Sequence, residues 1–199
     1  MASATLFALF LLSALIFYSP STTAQVTDGS GNIVKNGGQF YLLPRIFSLG
    51  GGIRRMKTGS ETSLLSVVQS PIETDPGLPV TISSPYRVEF IPEGPVYLGF
   101  DIPVGANSLE WTAVGDHSEG TFVKVGYPNS LKGSFIINRA SSPNSYKLLF
   151  CNPGASLCGN VAIVKDEAGN RLLAVNQETP YEFVLTPVAS PSLRRLNEP

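Results

Sequence analysis

The chain has 199 residues, of which 43% are apolar and 15% charged, a composition that suits one well-buried domain and excludes a disordered chain. Its formal net charge is -1 and its 14 basic residues are dispersed, so a nucleic-acid partner is not expected. With one histidine and two cysteines, the chain has too few soft ligands for a zinc site, and no metal or other cofactor is expected.

The first 24 residues differ from the rest because they contain no charged side chain. An almost unbroken apolar run from Leu6 to Tyr18 is followed by small residues that end at Ala24. This pattern predicts a secretory signal peptide over residues 1–24, cleaved before Gln25. The apolar run is about 13 residues long, too short to cross roughly 30 Å of hydrocarbon, so no membrane anchor is expected in the mature protein.

From Gln39 onward, short runs of β-branched and aromatic residues alternate with glycine, proline, asparagine and serine. About twelve strands are predicted, over residues 39–43, 62–68, 80–83, 86–91, 96–100, 110–114, 122–126, 134–138, 146–151, 160–165, 171–175 and 182–186. No apolar 3.6-residue period persists for three turns, so helix should be nearly absent. The fold class is therefore all-β, either a closed barrel with capping hairpins, such as a β-trefoil, or a two-sheet sandwich.

Within this pattern, residues 83–94 place Arg87 on a proline-stiffened segment. On spacing alone, the alternation of apolar and charged residues over 86–91 is explained by an edge strand with its charges in water. The alternative is that Arg87 is a recognition residue that enters a pocket of another protein. Its permanently charged, planar guanidinium suits a pocket floored by a carboxylate, and trypsin-like proteases have such a pocket.

The C-terminal third of the chain carries both cysteines and a proline-rich end. Cys151 and Cys158 flank a turn-forming run, and because secretion permits disulfides, we expect them to bond to each other. A ring of about eight residues stabilises by only about 2.5 kcal/mol on the loop-entropy model, so this bridge pins a hairpin rather than the whole fold. Residues 187–199 lose the alternation and are expected to form a loose tail after a domain that spans 25–186.

Catalytic machinery is not visible in the sequence. The single histidine, His117, lies in a glycine-bracketed run, and a lone Asp-His-Ser tripeptide is not a triad because triad partners converge from separate segments. The sequence also lacks a phosphate-binding glycine loop, a zinc-protease helix and an esterase elbow. An enzyme is therefore not predicted.

Several runs together resemble a known family. The Ser-Pro-Tyr-Arg sequence at 84–87 and the stretch 26–42 are the most distinctive, and further runs follow at 58–62, 67–70, 77–80, 111 and 146–151. In order and approximate spacing they resemble the plant Kunitz trypsin inhibitors, the soybean trypsin inhibitor family, with Ser30 and Phe40 as mild departures. The resemblance covers residues 26–186 and implies a β-trefoil, a six-stranded barrel capped by hairpins.

The resemblance also implies a function and a site. The chain is expected to be a secreted, monomeric inhibitor of a trypsin-like serine protease, with Arg87 as the primary specificity residue and Arg87-Val88 as the reactive bond. Asn36 would prop the loop from inside. The residues that lead into the protease cleft would be Ser84, Pro85 and Tyr86. A loop held in the shape of a bound substrate loses little entropy on docking, so a contact of about 800 Å² per partner can be tight.

One departure from the family bears on the loop. The family commonly has a second, larger disulfide around the reactive loop, but Ser63 and the region of Val104 and Gly105 lack the cysteines. Losing a ring of about 40 residues forfeits about 4 kcal/mol, and a softer loop is expected to be cleaved more readily.

Two alternatives keep the same fold. One is a storage, defence or taste-modifying-type binding protein that has lost inhibition, and the other is an inhibitor of a cysteine protease or carboxypeptidase through a different loop. The final compartment, extracellular space or vacuole, is left open by the sequence.

Overall fold

Twelve β-strands and one short 3₁₀-helix, Phe47–Leu49, form the part of the chain that the computed structural model describes, namely residues 24–59, 61, 65–100, 109–116, 120–127, 129–154 and 158–188. The strands are β1 Gly38–Pro44, β2 Ile53–Met56, β3 Leu65–Gln69, β4 Val80–Ser83, β5 Gly94–Phe100, β6 Leu109–Asp116, β7 Gly120–Val125, β8 Ser134–Arg139, β9 Ser145–Cys151, β10 Gly159–Lys165, β11 Arg171–Asn176 and β12 Phe183–Pro187.

Several sequence predictions concern residues outside this description. The predicted signal peptide, apart from Ala24, and the predicted tail beyond Val188 are among them. So are His117, Ser63 and the region of Val104 and Gly105.

Six strands close into a barrel through a cycle of antiparallel pairings. β1 pairs with β4 and β12, β5 pairs with β4 and β8, and β9 pairs with β8 and β12. The registers join distant parts of the chain, since Gly38 lies opposite Ile82 and Phe40 lies opposite Pro187. Each of these six strands therefore has a hydrogen-bonded neighbour on both sides. Closure into a barrel thus leaves no edge strand with unpaired backbone N–H and C=O groups.

The other six strands form three hairpins, β2–β3, β6–β7 and β10–β11. These hairpins contact one another in a triangle, because β3 pairs with β7, β7 with β11 and β11 with β3. The same four-strand unit thus occurs three times along the chain, as β1–β4, β5–β8 and β9–β12. This arrangement confirms the β-trefoil that the resemblance implied, and the two-sheet sandwich is wrong.

Alternation along the barrel strands fills the interior. In β4, Val80 and Ile82 are fully buried while their neighbours are half-exposed, and in β8 Phe135 and Ile137 are buried in the same way. Burying a side chain of this size stabilises the fold by about 1.5–3 kcal/mol, so the period-2 pattern decides which face points inward. The interior is closed by large side chains such as Tyr146, which is also fully buried.

The predicted strand over residues 86–91 is wrong. β4 ends at Ser83 and β5 begins at Gly94, and the chain between them is irregular, with isolated bridges at Phe90 and Pro92. A proline has no N–H to donate to a strand ladder, and prolines 85 and 92 stand at both ends of the predicted strand.

Conversely, the cap strand β2, Ile53–Met56, was not predicted. It pairs with β3 in a four-residue ladder. Only Ile53 of its four residues is buried, and two adjacent arginines hide the alternation that identifies a strand. The total of about twelve strands is confirmed, but one of the predicted strands is replaced by another.

A polar cluster ties the segment before β3 to β7. The Glu61 carboxylate, 7% exposed, accepts hydrogen bonds from Lys124 Nζ at 2.7 Å, Tyr127 OH at 2.8 Å and Thr58 N at 2.9 Å. Burial by itself raises the pKa of Glu61, but these hydrogen bonds and the charge of Lys124 outweigh burial and lower the pKa below its ordinary value. The ionised carboxylate therefore stabilises the folded chain.

Candidate functional site

The connection between β4 and β5 is a loop, residues 84–93, whose outer residues 85–89 are exposed. Tyr86 is 56% exposed, Val88 is 41% exposed, and Arg87 between them is exposed as well. The Val88 N–H donates to the Tyr86 carbonyl at 3.0 Å, which closes a three-residue turn centred on Arg87. The loop thus presents Arg87 to solvent.

The charge of Arg87 is uncompensated within the described residues, where its guanidinium makes no hydrogen bond or ion pair. By contrast, Arg45, Arg54 and Arg139 are each paired with a carboxylate at 2.6 to 3.0 Å. A solvent-exposed guanidinium with no partner can bind a carboxylate of another protein without breaking an internal ion pair.

A single side chain, that of Asn36, holds both sides of Arg87. Its Nδ2 donates to the Val88 carbonyl at 3.0 Å, and its Oδ1 accepts from the Ser84 N–H at 2.8 Å. The Asn36 backbone N–H also donates to the Glu89 carbonyl at 2.9 Å. Ser84 is 8% exposed, and its Oγ accepts from the Tyr86 N–H at 3.2 Å. The loop is therefore fixed from below while its outer face stays open.

The returning half of the loop is bound to the N-terminal segment of the described chain. Ile91 is fully buried and donates its N–H to the Val34 carbonyl at 3.0 Å, and the Val26 N–H donates to the Ile91 carbonyl at 2.8 Å. Phe90 forms a bridge with Lys35. With both ends anchored and two prolines restricting the backbone, the loop has little conformational entropy left to lose when it binds a partner.

The contribution of the N-terminal segment was not predicted from the sequence. Val26 and Val34 are buried on either side of a tight turn in which the Asp28 carboxylate accepts the N–H groups of Ser30 and Asn32, both at 2.9 Å. Two apolar residues that flank an Asp-Gly-containing turn are a hairpin signal, and that signal was present in the sequence.

The structure brings six of the predicted site residues together. Ser84, Pro85, Tyr86, Arg87 and Val88 form the outer half of the loop, with Asn36 beneath them.

The predicted disulfide between Cys151 and Cys158 is confirmed. It joins the end of β9 to the residue before β10, with the two Cα atoms 4.4 Å apart. The loop over residues 84–93 contacts the chain just before β1, at the end of the barrel opposite to the disulfide. The bridge therefore fastens the β9–β10 connection and does not touch the loop.

None of the helices in the described part of the chain has the length and apolar character needed to cross a bilayer.

Comparison with known proteins links this geometry to one family. A family described as "Trypsin and protease inhibitor", the legume Kunitz family, matches residues 26–186. Trypsin inhibitor DE-3 of Erythrina latissima is 41% identical over 163 residues, which cover 79% of this chain and 95% of the relative. Chymotrypsin inhibitor ECI of Erythrina variegata is 39% identical over 176 residues, which cover 84% of this chain and 98% of the relative.

Solved structures give the same result. A chain of the complex of porcine pancreatic trypsin with soybean trypsin inhibitor superposes with a TM-score of 0.75 at 39% sequence identity, covering 83% of this chain and 99% of that one. The relatives are named as inhibitors of two different proteases, trypsin and chymotrypsin, so membership of the family does not by itself determine the target of this chain.

Proposed function

Since the chain belongs to the legume Kunitz family of trypsin and protease inhibitors, we propose that it inhibits a trypsin-like serine protease through its Arg87-Val88 bond. The observation that carries this proposal is the exposed, unpaired Arg87 on a loop held by Asn36. A trypsin-like specificity pocket has a carboxylate at its base, which a guanidinium can meet with two parallel hydrogen bonds.

The same hydrogen bonds explain how such a loop would resist digestion. When the protease serine attacks the Arg87 carbonyl carbon, the bond to Val88 N breaks and a new amine forms. Asn36 Nδ2 holds the Val88 carbonyl, and Asn36 Oδ1 holds the Ser84 N–H on the acyl side. Both products of the cleavage are therefore fastened to one side chain, so the amine stays beside the acyl-enzyme and re-forms the peptide bond before water completes hydrolysis.

We also propose that the protein is secreted, with residues 1–24 removed before Gln25. In support, Gln25 already forms a bridge with Pro92 at the base of the loop. Removal of residues 1–24 would leave this bridge in place and put the new N-terminus beside the base of the loop, although it would remove the hydrogen bond that the Glu93 N–H donates to the Ala24 carbonyl at 2.8 Å. N-terminal sequencing of the secreted protein tests this proposal, and a terminus that lies inside the Val26–Val34 turn would contradict it.

Stoichiometric titration of active trypsin tests the inhibitory function. The purified mature protein is expected to abolish trypsin activity at equimolar ratio, and Arg87→Ala to lose that effect while changing stability by less than about 0.5 kcal/mol. Arg55→Ala, in the cap strand β2, is the matched control and should inhibit like the parent. If trypsin keeps its activity at micromolar excess of the parent protein, the non-inhibitory binding protein becomes the better description.

A further inference from the structure

A pocket of about 330 Å³ lies between the turn that follows β1, the end of β3 and the start of β11. Leu49, Ile163 and Tyr181 contribute apolar walls, and Gln69 and Arg171 contribute polar groups. Its volume falls in the range of small-molecule sites, which combine apolar walls with a few placed polar groups. No part of the proposed protease-binding loop lines this pocket.

The guanidinium of Arg171 is held in place by neutral acceptors. Its Nε and Nη2 donate to Gln69 Oε1 at 3.0 and 2.6 Å, and Nη2 also donates to the Leu49 carbonyl at 2.7 Å. Gln69 is 2% exposed, and its Nε2 is used by the carbonyls of Leu49 and Gly51, both at 3.0 Å. Gln69 cannot rotate without breaking four hydrogen bonds, so the orientation of Arg171 is built into the fold.

This anchoring leaves a free charge and free donors. Across the described ranges, Arg171 has no carboxylate within ion-pair distance and its Nη1 makes no hydrogen bond. A guanidinium has five N–H donors in a planar fork, and the two on Nη1 remain available for an anion.

The remaining charges of the pocket cancel. Arg45 and Glu182 both line it, and Arg45 Nε meets Glu182 Oε2 at 2.6 Å. The pocket therefore carries a net charge of one positive unit, contributed by Arg171. A ligand with a single negative charge complements it, whereas a dication or a neutral sugar does not.

The rim of the pocket is unusually apolar for a surface turn. Leu49 is 53% exposed and Ile46 is 42% exposed. Inside, the Tyr181 hydroxyl donates to the Leu42 carbonyl at 3.3 Å, and burial raises its pKa, so the phenol stays neutral. An apolar ligand body that covers these side chains would remove hydrocarbon from water at about 25 cal/mol per Å².

We propose that this pocket binds a small carboxylate with an apolar body, whose carboxylate meets Arg171 and whose body lies against Leu49, Ile163 and Tyr181. The site lies far from the loop. β1 has seven residues, with Gly38 near the loop and Pro44 at the pocket, so about 20 Å of strand separates the two sites. Ligand binding and protease inhibition are therefore separate activities of one molecule.

Titration of the ¹⁵N-labelled protein with 3-phenylpropionate, followed by NMR, tests the proposal. The backbone amides of Leu49, Ile163 and Arg171 are expected to shift and to saturate in the millimolar range. 3-Phenylpropionamide has the same shape without the charge and is expected to bind at least about tenfold more weakly. Absence of saturable shifts at these amides, or an equal response to the neutral amide, overturns the proposal.

Two variants of the same turn separate the pocket from its surroundings. Leu49→Glu places a carboxylate at the pocket wall and should weaken 3-phenylpropionate binding at least about tenfold. Phe47→Glu adds the same charge to a residue that is 70% exposed and does not line the pocket, and it should stay within about threefold of the parent. Equal weakening by both variants contradicts the proposed site.

Trypsin titration of the same variants serves as the folding control and keeps the two proposals apart. Both variants are expected to inhibit like the parent, because neither residue contacts the loop. Arg171→Gln should also weaken binding at least about tenfold, and if that variant does not fold, Leu49→Glu still decides the outcome. If the parent protein fails to inhibit trypsin, the proposed function is refuted, but the proposal that the pocket binds a carboxylate is unaffected.

Discussion

Replacing Asn36 with alanine removes the two side-chain hydrogen bonds that fasten the loop on either side of Arg87, the one to the Val88 carbonyl and the one from the Ser84 N–H. Each such bond contributes about 0.5–1.5 kcal/mol net, so the substitution costs about 1–3 kcal/mol of loop order. Since each 1.4 kcal/mol is tenfold in affinity, the inhibition constant for trypsin should rise between about fivefold and about 100-fold.

The assay measures two quantities on the same samples. The inhibition constant comes from trypsin activity at fixed enzyme and increasing inhibitor, and mass spectrometry follows cleavage between Arg87 and Val88 over time. Asn36→Ala is expected to be cleaved faster than the parent, because the new amine is less firmly held. Asn170→Ala is the matched control, since Asn170 donates to Asp166 at 2.8 Å in the β10–β11 turn.

The opposite result would be informative. If Asn36→Ala inhibits trypsin within about twofold of the parent and is cleaved no faster, the loop owes its shape to the prolines and the N-terminal segment instead. Asn36→Asp refines the test. A carboxylate can still accept from the Ser84 N–H, but it has no N–H to offer the Val88 carbonyl, so inhibition should weaken despite the retained contact.

Three further predictions concern specificity and stability. Arg87→Leu should transfer inhibition from trypsin to a chymotrypsin-like protease, whose specificity pocket is apolar, and equal inhibition of trypsin by this variant would show that another residue enters the pocket. The folded-state pKa of Glu61 is lowered, so the stabilisation by its carboxylate is present above the unfolded carboxyl pKa and is lost as pH falls through the folded pKa. In denaturant titrations, Glu61→Gln should therefore have a lower free energy of unfolding than the parent at neutral pH and lose less of it on acidification. Parallel pH profiles of the two proteins would contradict this. Replacing Cys151 and Cys158 by serine should lower the free energy of unfolding by about 2.5 kcal/mol without changing trypsin inhibition, and a weakened inhibition would mean that the bridge is coupled to the loop.

The polar cluster of Glu61 bears on the disulfide that the family commonly has. The cysteine position at Ser63 lies two residues after Glu61 in the sequence. Glu61 joins that segment to β7 through Lys124, across 63 residues of chain. In the folded state this ion pair fastens the chain near Ser63, as a disulfide at that position would. Unlike a disulfide, it does not reduce the entropy of the unfolded chain. The expected softening of the loop stays a prediction, to be measured by the cleavage assay.

Local pattern was sufficient for much of the fold. Alternating residues such as Val80 and Ile82 mark barrel strands because their period-2 burial is a property of one strand alone. It failed for β2, where Arg54 and Arg55 hide the alternation, and for residues 86–91, where alternation occurs in a loop. In both places, the presence or absence of a neighbouring strand that pairs with the backbone decides whether the segment is a strand. The local sequence does not contain that information.

From the residues alone one could obtain the all-β class, the approximate number of strands, the cysteine pair and, through family motifs, Arg87 with its supporting Asn36. The closure of six strands into a ring, the contact of Asn36 with a carbonyl 52 residues away and the bond between Gln69 and Arg171 across 102 residues came only from the folded molecule. Periodicity reports which face of a segment is buried, whereas the partner of that face is chosen by packing among all twelve strands, and contacts between distant residues exist only once that packing is complete.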